Sequence, residues 1–232
     1  MGSNNILFDS EGNALSPDKI YDKIINFPNR YKEAVKKTIQ DSAVLDSNGE
    51  VFVNCTARIL VNFKMTRTGP FKGIRITKNG NVIGEELLHK CWDRIKDGAL
   101  EINNSVLQSG FSRDRYLLAL SSSQCEELVQ QIWFMTKQLL PFTMGETSYG
   151  LVGASKILFA VLPEIVLPVD NNQWLKVFKT VDLGDIINRM VCDIKEWEEK
   201  AHERLNEMDR SKRLTTLPSV YNVIAMDARP YG

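Results

Sequence analysis

Apolar positions change their spacing twice along the chain, and the changes divide the sequence into three parts. In residues 1–50, the stretches 17–25 and 28–39 carry apolar residues three and four positions apart, which is typical of short amphipathic helices. Asp46-Ser47-Asn48-Gly49 then has the composition of a turn. The sequence therefore begins with two predicted helices and a turn.

The second part, from residue 51 to residue 84, is rich in β-branched and aromatic residues. Runs with this composition between turn signals are typical of strands, and they cover residues 51–53, 58–65, 73–77 and 81–83. Asn79-Gly80 between the last two runs is a strong hairpin signal. We therefore predict an antiparallel β meander.

The third part returns to helical spacing and keeps it almost to the end of the chain. The predicted helical segments are residues 85–95, 98–106, 113–119, 123–140, 155–162, 173–177 and 183–208. Ser123 and Glu126 have the spacing of a capping box. We expect the apolar residues 217–226 to pack back on the body, and Trp133, Phe134, Leu140 and Trp197 to face the core.

These patterns predict an α+β fold that is mainly helical. We expect residues 1–84 to form N-terminal helices and a basic antiparallel β lobe. Residues 85–232 would form a helical body, and the two parts together one compact unit. With 232 residues, 43% of them hydrophobic, the chain can bury a substantial core.

Charge and cysteine content narrow the classes of function. Lysine plus arginine and aspartate plus glutamate both number 29, so no global charge attracts a polyanion and a nucleic acid must be held by local patches. The cysteines, Cys55, Cys91, Cys125 and Cys192, lack the spacing of a zinc or iron–sulfur site, and we expect no metal centre. No apolar signal segment or membrane span is visible, so we expect a cytoplasmic protein without a membrane partner.

One local patch is strongly basic. Between Val51 and Gly84 there is no acidic residue. The six basic residues of this stretch are Arg58, Lys64, Arg67, Lys72, Arg75 and Lys78. They indicate either a solvated sheet whose edges are protected by charge or a surface that contacts phosphates.

The stretch from residue 149 to residue 174 combines a glycine turn, an apolar helix and a carboxylate. Gly150 and Gly153 precede Ser155 and Lys156 at the start of the predicted helix, where free backbone N–H groups favour an anion. The alternative is that the glycines only cap and pack. Asp170 follows Leu167-Pro168-Val169, and it is either a carboxylate held beside apolar surface or the N-cap of the next helix.

These residues resemble the helix-hairpin-helix DNA glycosylases. The resemblance lies in Gly150-Leu151-Val152-Gly153 followed by Lys156, the apolar helix, and Val166-Leu167-Pro168-Val169-Asp170. In that family a glycine hairpin holds a DNA phosphate, often through a bound cation, and an aspartate acts on the sugar of a flipped-out base. More narrowly, the chain is similar to bacterial phage-defence glycosylases that remove glucosylated hydroxymethylcytosine.

The resemblance implies a function and a set of site residues. Asp170 would be catalytic, in a hydrolase that flips a modified base out of double-stranded DNA and leaves an abasic site. Lys156 lies closer to Asp170 than the lysine does in members with lyase activity, so a monofunctional enzyme is expected. The residues expected to bind DNA are Gly150, Val152, Gly153, Ser155, Lys156, Arg58, Lys64, Arg67, Lys72 and Arg75.

The base pocket is expected to include Tyr149, Asn171, Asn172, Gln173 and Trp174. The polar Asn-Asn-Gln run favours a bulky polar base over a plain alkylated one. Catalysis would need no cofactor and no obligate protein partner, although the resemblance allows a structural monovalent cation at the hairpin.

Two other functions remain open from the sequence. A non-catalytic DNA-binding module could keep the same fold without the chemistry. A metal-dependent nuclease is suggested by the size of the chain, its mixed α/β content and the basic sheet, but it is less favoured.

Overall fold

The computed structural model describes residues 5–145 and 150–228, and it is mainly helical with one small antiparallel sheet. The α-helices are α1 (Pro17–Asn26), α2 (Asn29–Ser42), α3 (Glu50–Asn62), α4 (Glu86–Gln108), α5 (Tyr116–Ala119), α6 (Ser122–Thr143), α7 (Leu151–Val161), α8 (Leu183–Ala201) and α9 (Leu217–Asp227). Short 3-10 helices form at Arg113–Arg115 and Leu205–Met208, and a π-helical segment at Gln173–Phe178. The strands are β1 (Arg75–Ile76) and β2 (Val82–Ile83).

Residues 51–62 form α3 and not the two strands predicted there. Seven of its residues, Phe52, Val53, Cys55, Thr56, Ala57, Ile59 and Leu60, are buried. A helix buried on most of its circumference has a continuous apolar sequence, and such a run has no periodicity that separates helix from strand. The antiparallel meander predicted over residues 51–84 was therefore wrong in its first two strands, and only the hairpin of its last two forms.

That hairpin confirms the end of the predicted meander. Arg75 pairs with Ile83 and Ile76 with Val82 in antiparallel register. The turn is closed by bonds from Thr77 N to Asn81 O (2.9 Å) and from Gly80 N to Thr77 O (3.0 Å), and Gly80 takes the left-handed conformation at φ +87°. The Asn79-Gly80 signal therefore predicted this turn correctly.

Several helix predictions need small corrections. Residues 85–106 form one continuous helix, and the capping box of α6 joins Ser121 to Gln124 in place of Ser123 to Glu126. Phe134 is 58% exposed and does not face the core, whereas Trp197 is fully buried and its Nε1 donates to Leu15 O at 2.8 Å.

One hydrophobic core joins both parts of the chain. It extends from Leu7 to Ala225, with α1 packed against α9 and α3 packed against α7. The predicted packing of residues 217–226 on the body is confirmed, since α9 is mostly buried. Within residues 5–145 and 150–228, no helix has the length and apolarity needed to cross a membrane.

Helix α7 lies at the centre of this core. Every residue from Gly153 to Val161 is buried, and α7 packs against α2, α3 and α6. Its N-cap is Gly150 at φ +81°, where an added Cβ would lie 2.7 Å from Thr143 Oγ1 and 3.0 Å from Met144 N. The turn that carries Asp170 therefore packs on a helix that is almost entirely enclosed.

Replacing Gly150 by alanine tests how tightly the start of α7 is packed. Gly12 has the same φ of +81°, but a Cβ added to it would meet no atom within 4 Å, so Gly12→Ala isolates the backbone strain. We expect Gly12→Ala to cost about 1 kcal/mol and Gly150→Ala about 1–3 kcal/mol more, because of the contact with Thr143. Urea unfolding measures both, and equal losses would contradict the packing described here.

Candidate functional site

Asp170 ends a buried, irregular stretch of chain and begins a helix. Residues 162–169 have no regular secondary structure and are buried throughout, whereas Asp170 is partly exposed. Asp170 Oδ1 accepts a hydrogen bond from Gln173 N (2.9 Å), and Asp170 N donates to Gln173 Oε1 (2.7 Å). This reciprocal capping fixes the carboxylate on a rigid turn, and it confirms the N-cap role proposed from the sequence.

Lys156 lies beneath the same turn. Its Nζ donates to Pro168 O (3.3 Å) and to Val169 O (3.2 Å), and it lies 4.9 Å from the ring centroid of Phe63. Burial lowers the pKa of the Lys156 ammonium from its usual value to about 8, and the negative charge of Asp170 partly opposes this change. A buried cation therefore supports the turn that carries Asp170.

A cleft of about 700 Å³ opens beside this turn. Lys64, Val152 and Asn171, which the sequence placed at a DNA-binding site, all contribute to its wall. The other lining residues are Met65, Thr68, Gly69, Pro70, Phe71, Thr143, Met144 and Gly145. Residues from four separate parts of the chain thus line one cleft, and one of them, Asn171, directly follows Asp170.

In the glycine turn, the residues that are accessible are not all those that the sequence predicted. Gly150 caps α7, and Val152 at the first turn lines the cleft. An added Cβ on Gly153 would lie 2.8 Å from Phe71 Cε2, and Ser155 Oγ bonds to Val152 O (3.0 Å) and Val169 O (3.2 Å).

Three of the predicted DNA-binding residues are therefore corrected. Gly153 allows close packing inside the protein, Ser155 is fully buried, and Lys156 is only 2% exposed. The side chains of Ser155 and Lys156 cannot contact a phosphate in this structure. The segment between α6 and α7 includes residues 146–149, so Tyr149 lies outside the described residues.

The basic residues also separate into two groups. Arg58 is on α3, where its Nη2 pairs with Asp41 Oδ2 at 2.7 Å, and it does not belong to an open basic surface. Lys64, Arg67, Lys72 and Arg75 are exposed on the turn after α3 and on the hairpin. The basic patch is thus a loop and a hairpin next to the cleft, and it is not a sheet face.

The residues expected to form a base pocket divide into exposed and buried ones. Asn171 and Asn172 are exposed, and Asn171 lines the cleft. Gln173 and Trp174 are buried, so they do not form an open pocket wall. Trp174 Nε1 is buried and has no hydrogen-bond partner within the described part of the chain.

Two features of the site were missed by the sequence interpretation. Gln173 Nε2 donates to Asn222 Oδ1 at 2.9 Å, which links the turn to α9. The Asp-x-x-Gln spacing of a capping box could have revealed the role of Gln173, but no local pattern points to Asn222, which is 49 positions away.

The second missed feature is another buried acid. Glu164 Oε1 lies 2.5 Å from Arg113 Nη2, and burial raises the pKa of the Glu164 carboxyl to about 7 against the opposing effect of Arg113. Glu164 lies three residues after the end of α7, and its ion pair ties the start of the irregular stretch to Arg113. Among the described residues, no group of three or more His, Cys, Asp or Glu side chains is arranged to hold a metal ion.

Comparison with protein-family models, with curated proteins and with solved structures finds no match in any of the three. The resemblance to helix-hairpin-helix glycosylases therefore stays a prediction that rests on residues 150–170. The helices that would flank such a hairpin, α6 and α7, pack against each other.

The electrostatic link between Asp170 and Lys156 gives a direct prediction. Asp170→Asn keeps an oxygen that can cap the helix but removes the charge that raises the pKa of Lys156. We expect the Lys156 pKa to fall below its wild-type value of about 8 in this variant, as measured by NMR titration of its Cε and Nζ resonances. Glu86→Gln, an exposed change on α4, is the control and should leave that pKa unchanged; an equal pKa in wild type and Asp170→Asn would contradict the coupling.

Proposed function

We propose that this protein is a monofunctional DNA glycosylase that hydrolyses the N-glycosidic bond of a flipped-out modified base. The observation that carries the proposal is the position of Asp170. Its carboxylate is fixed by the capping bonds with Gln173, and the next residue, Asn171, lines a cleft of about 700 Å³. A carboxylate held in place beside a cleft is suited to stabilise a cation formed there.

The chemistry of base excision needs such a group. When an N-glycosidic bond breaks, positive charge develops on the sugar, and a fixed negative charge becomes more favourable as the transition state is approached. Asp170 would supply that charge, and water would complete the hydrolysis to an abasic site. Because the effect acts through charge, it is compatible with the capping bond from Gln173 N.

The surroundings of the cleft favour a polyanion. Lys64 lines the cleft, and Arg67, Lys72 and Arg75 are exposed along the same loop and hairpin. The N-terminus of α7, with Val152 in the cleft wall, adds backbone N–H groups that attract phosphate. We therefore propose that double-stranded DNA lies across the loop, the hairpin and the start of α7.

The size of the cleft and the amide of Asn171 in its wall are compatible with a large polar base. Pockets for small-molecule ligands are roughly 300–1,000 Å³, so about 700 Å³ accommodates a cytosine with a sugar substituent. Asn171 supplies an amide that can hydrogen-bond to such a substituent. Glucosylated hydroxymethylcytosine of phage DNA is the substrate that we propose, which would give the protein a role in antiviral defence in the cytoplasm.

Lys156 has a supporting role in this proposal. Its ammonium is enclosed by the carbonyls of Pro168 and Val169 and by Phe63, so it does not reach a sugar in the cleft. It holds the turn in place and needs no cofactor or metal to do so.

A non-catalytic DNA-binding module is the second candidate. The observation in its favour is that Asp170 already has a structural role as the helix cap. In that case the same surface would bind DNA, and the cleft would hold a modified base without cleaving it.

The decisive experiment measures base excision by Asp170→Asn. Duplexes that carry a panel of modified bases, with glucosylated hydroxymethylcytosine among them, are incubated without metal and then treated with alkali to break abasic sites. We expect alkali-dependent breaks from the wild type and a loss of about 100-fold or more in Asp170→Asn, since a single preorganised electrostatic group contributes rate factors of this order.

Asp182→Asn is the matched control for that experiment. Asp182 caps α8 through a bond from Gly184 N (2.7 Å), so it undergoes the same chemical change at a cap away from the cleft. We expect it to excise the base at the wild-type rate. DNA binding without breaks across the whole panel would favour the binding module, and breaks that require magnesium would favour a nuclease.

A borohydride experiment tests the role given to Lys156. Reduction with borohydride traps a lysine that has formed a Schiff base with an abasic site. Because Lys156 Nζ is enclosed beneath the Asp170 turn, we expect no trapped protein–DNA adduct and no strand break without alkali. An adduct that disappears in Lys156→Met would contradict this role and indicate lyase activity.

A further inference from the structure

A chain of three hydrogen-bonding groups joins Asp170 to the last helix of the protein. Asp170 N donates to Gln173 Oε1 (2.7 Å), and Gln173 Nε2 donates to Asn222 Oδ1 (2.9 Å). Gln173 is fully buried and Asn222 is 4% exposed, so water cannot readily replace either partner. Asn222 is on α9 and does not line the cleft.

The chemistry of the groups fixes which atom donates and which accepts in these hydrogen bonds. A backbone N–H can only donate, so the Gln173 amide must present its oxygen to Asp170 N. The Gln173 nitrogen then faces α9 and needs an acceptor, which Asn222 Oδ1 provides. An apolar residue at position 222 would leave the Gln173 nitrogen buried without that partner, and the amide would no longer be held in the orientation that caps Asp170.

The contacts of Tyr221 hold helix α9 in place next to Asn222. The neighbouring Tyr221 is fully buried, its hydroxyl donates to Asp193 Oδ2 at 2.6 Å, and its ring stacks with Phe178 at 6.3 Å between centroids. Phe178 is the last residue of the π-helical segment that begins at Gln173. The segment is thus fastened to α9 at both of its ends.

We propose that Asn222 is a positioning residue for the Asp170 carboxylate. Asn222 orients the Gln173 side-chain amide, whose oxygen accepts from Asp170 N. This bond keeps Asp170 next to the Gln173 backbone N–H, which donates to the Asp170 carboxylate. The catalytic part of this inference rests on the glycosylase function proposed above, whereas the structural part concerns the Asp170 turn alone.

Asn222→Leu tests the proposal, with Thr216→Val as a matched control. Leucine has a similar volume but no acceptor. Thr216→Val removes the N-cap of the same helix, where Thr216 accepts from Ser219 N, and so it destabilises α9 without changing the Gln173 bond. We expect Asn222→Leu to slow single-turnover excision at least about tenfold with little change in the Kd for DNA, and Thr216→Val, at a similar loss of melting temperature, to excise within about twofold of the wild-type rate.

Two results would overturn the positioning role. One is a wild-type excision rate in Asn222→Leu, and the other is an equal slowing in Thr216→Val, which would mean that the stability of α9 alone matters. A double variant makes the test more specific. In a Gln173→Met background, Asn222→Leu should not slow base excision further, because the hydrogen bonds that link Asp170 to Asn222 are already lost. A full additional loss would also contradict the proposal.

Amide hydrogen exchange separates this inference from the proposed function. If the wild type excises no base, exchange at Asp170 N–H still reports on the capping bond to Gln173. We expect protection of this amide to fall at least about tenfold in Asn222→Leu and to be unchanged in Thr216→Val, relative to amides of α7 as an internal reference. Unchanged protection in Asn222→Leu would refute the proposal whatever the activity.

Discussion

The structure depends on how one irregular stretch of chain is accommodated inside the core. Residues 162–169 are buried without forming a helix or a strand, so their backbone groups cannot all be satisfied by regular bonding. Ser155 and Lys156 of α7 provide partners for the last two carbonyls, with Ser155 Oγ bonded to Val169 O and Lys156 Nζ to Pro168 O and Val169 O. Burying the Lys156 ammonium costs free energy, but its hydrogen bonds hold the backbone that leads to Asp170.

The function that we propose follows from where this stretch ends. Asp170 ends it, and the following Asn171 lines a cleft whose walls also carry Lys64 and Val152 of the first turn of α7. A fixed negative charge beside a surface that attracts phosphate has little value for simple DNA binding, since it opposes the polyanion. It is valuable when a cation forms at that point, as it does on the sugar during base excision.

The sequence predicted the helices with clear periodicity and the hairpin at Asn79-Gly80, because those signals are local. It failed at α3, where burial around most of the helix removes the periodicity. Three residues that it named for a DNA site, Lys64, Val152 and Asn171, line one cleft, and Asp170 directly precedes Asn171.

The accessibility of the other site residues could not be read from the sequence. The residues from Gly150 to Lys156 have the pattern of an accessible helix start, yet in the fold Phe71 packs against Gly153 and the Asp170 turn encloses Lys156. Both contacts come from residues outside that pattern. Asn222 is likewise brought to Gln173 only by the packing of α9, and no spacing in the sequence encodes that contact.

The most direct test of the central claim does not require the substrate base to be known. Binding of the wild type and of Asp170→Asn is measured for two duplexes, one with a cationic pyrrolidine in place of the target sugar and one with a neutral tetrahydrofuran. If the Asp170 carboxylate stabilises positive charge in the cleft, the wild type will prefer the cationic duplex by about tenfold or more, a difference of about 1.4 kcal/mol, and Asp170→Asn will lose that preference. An equal preference for the cationic duplex in both proteins would contradict the account.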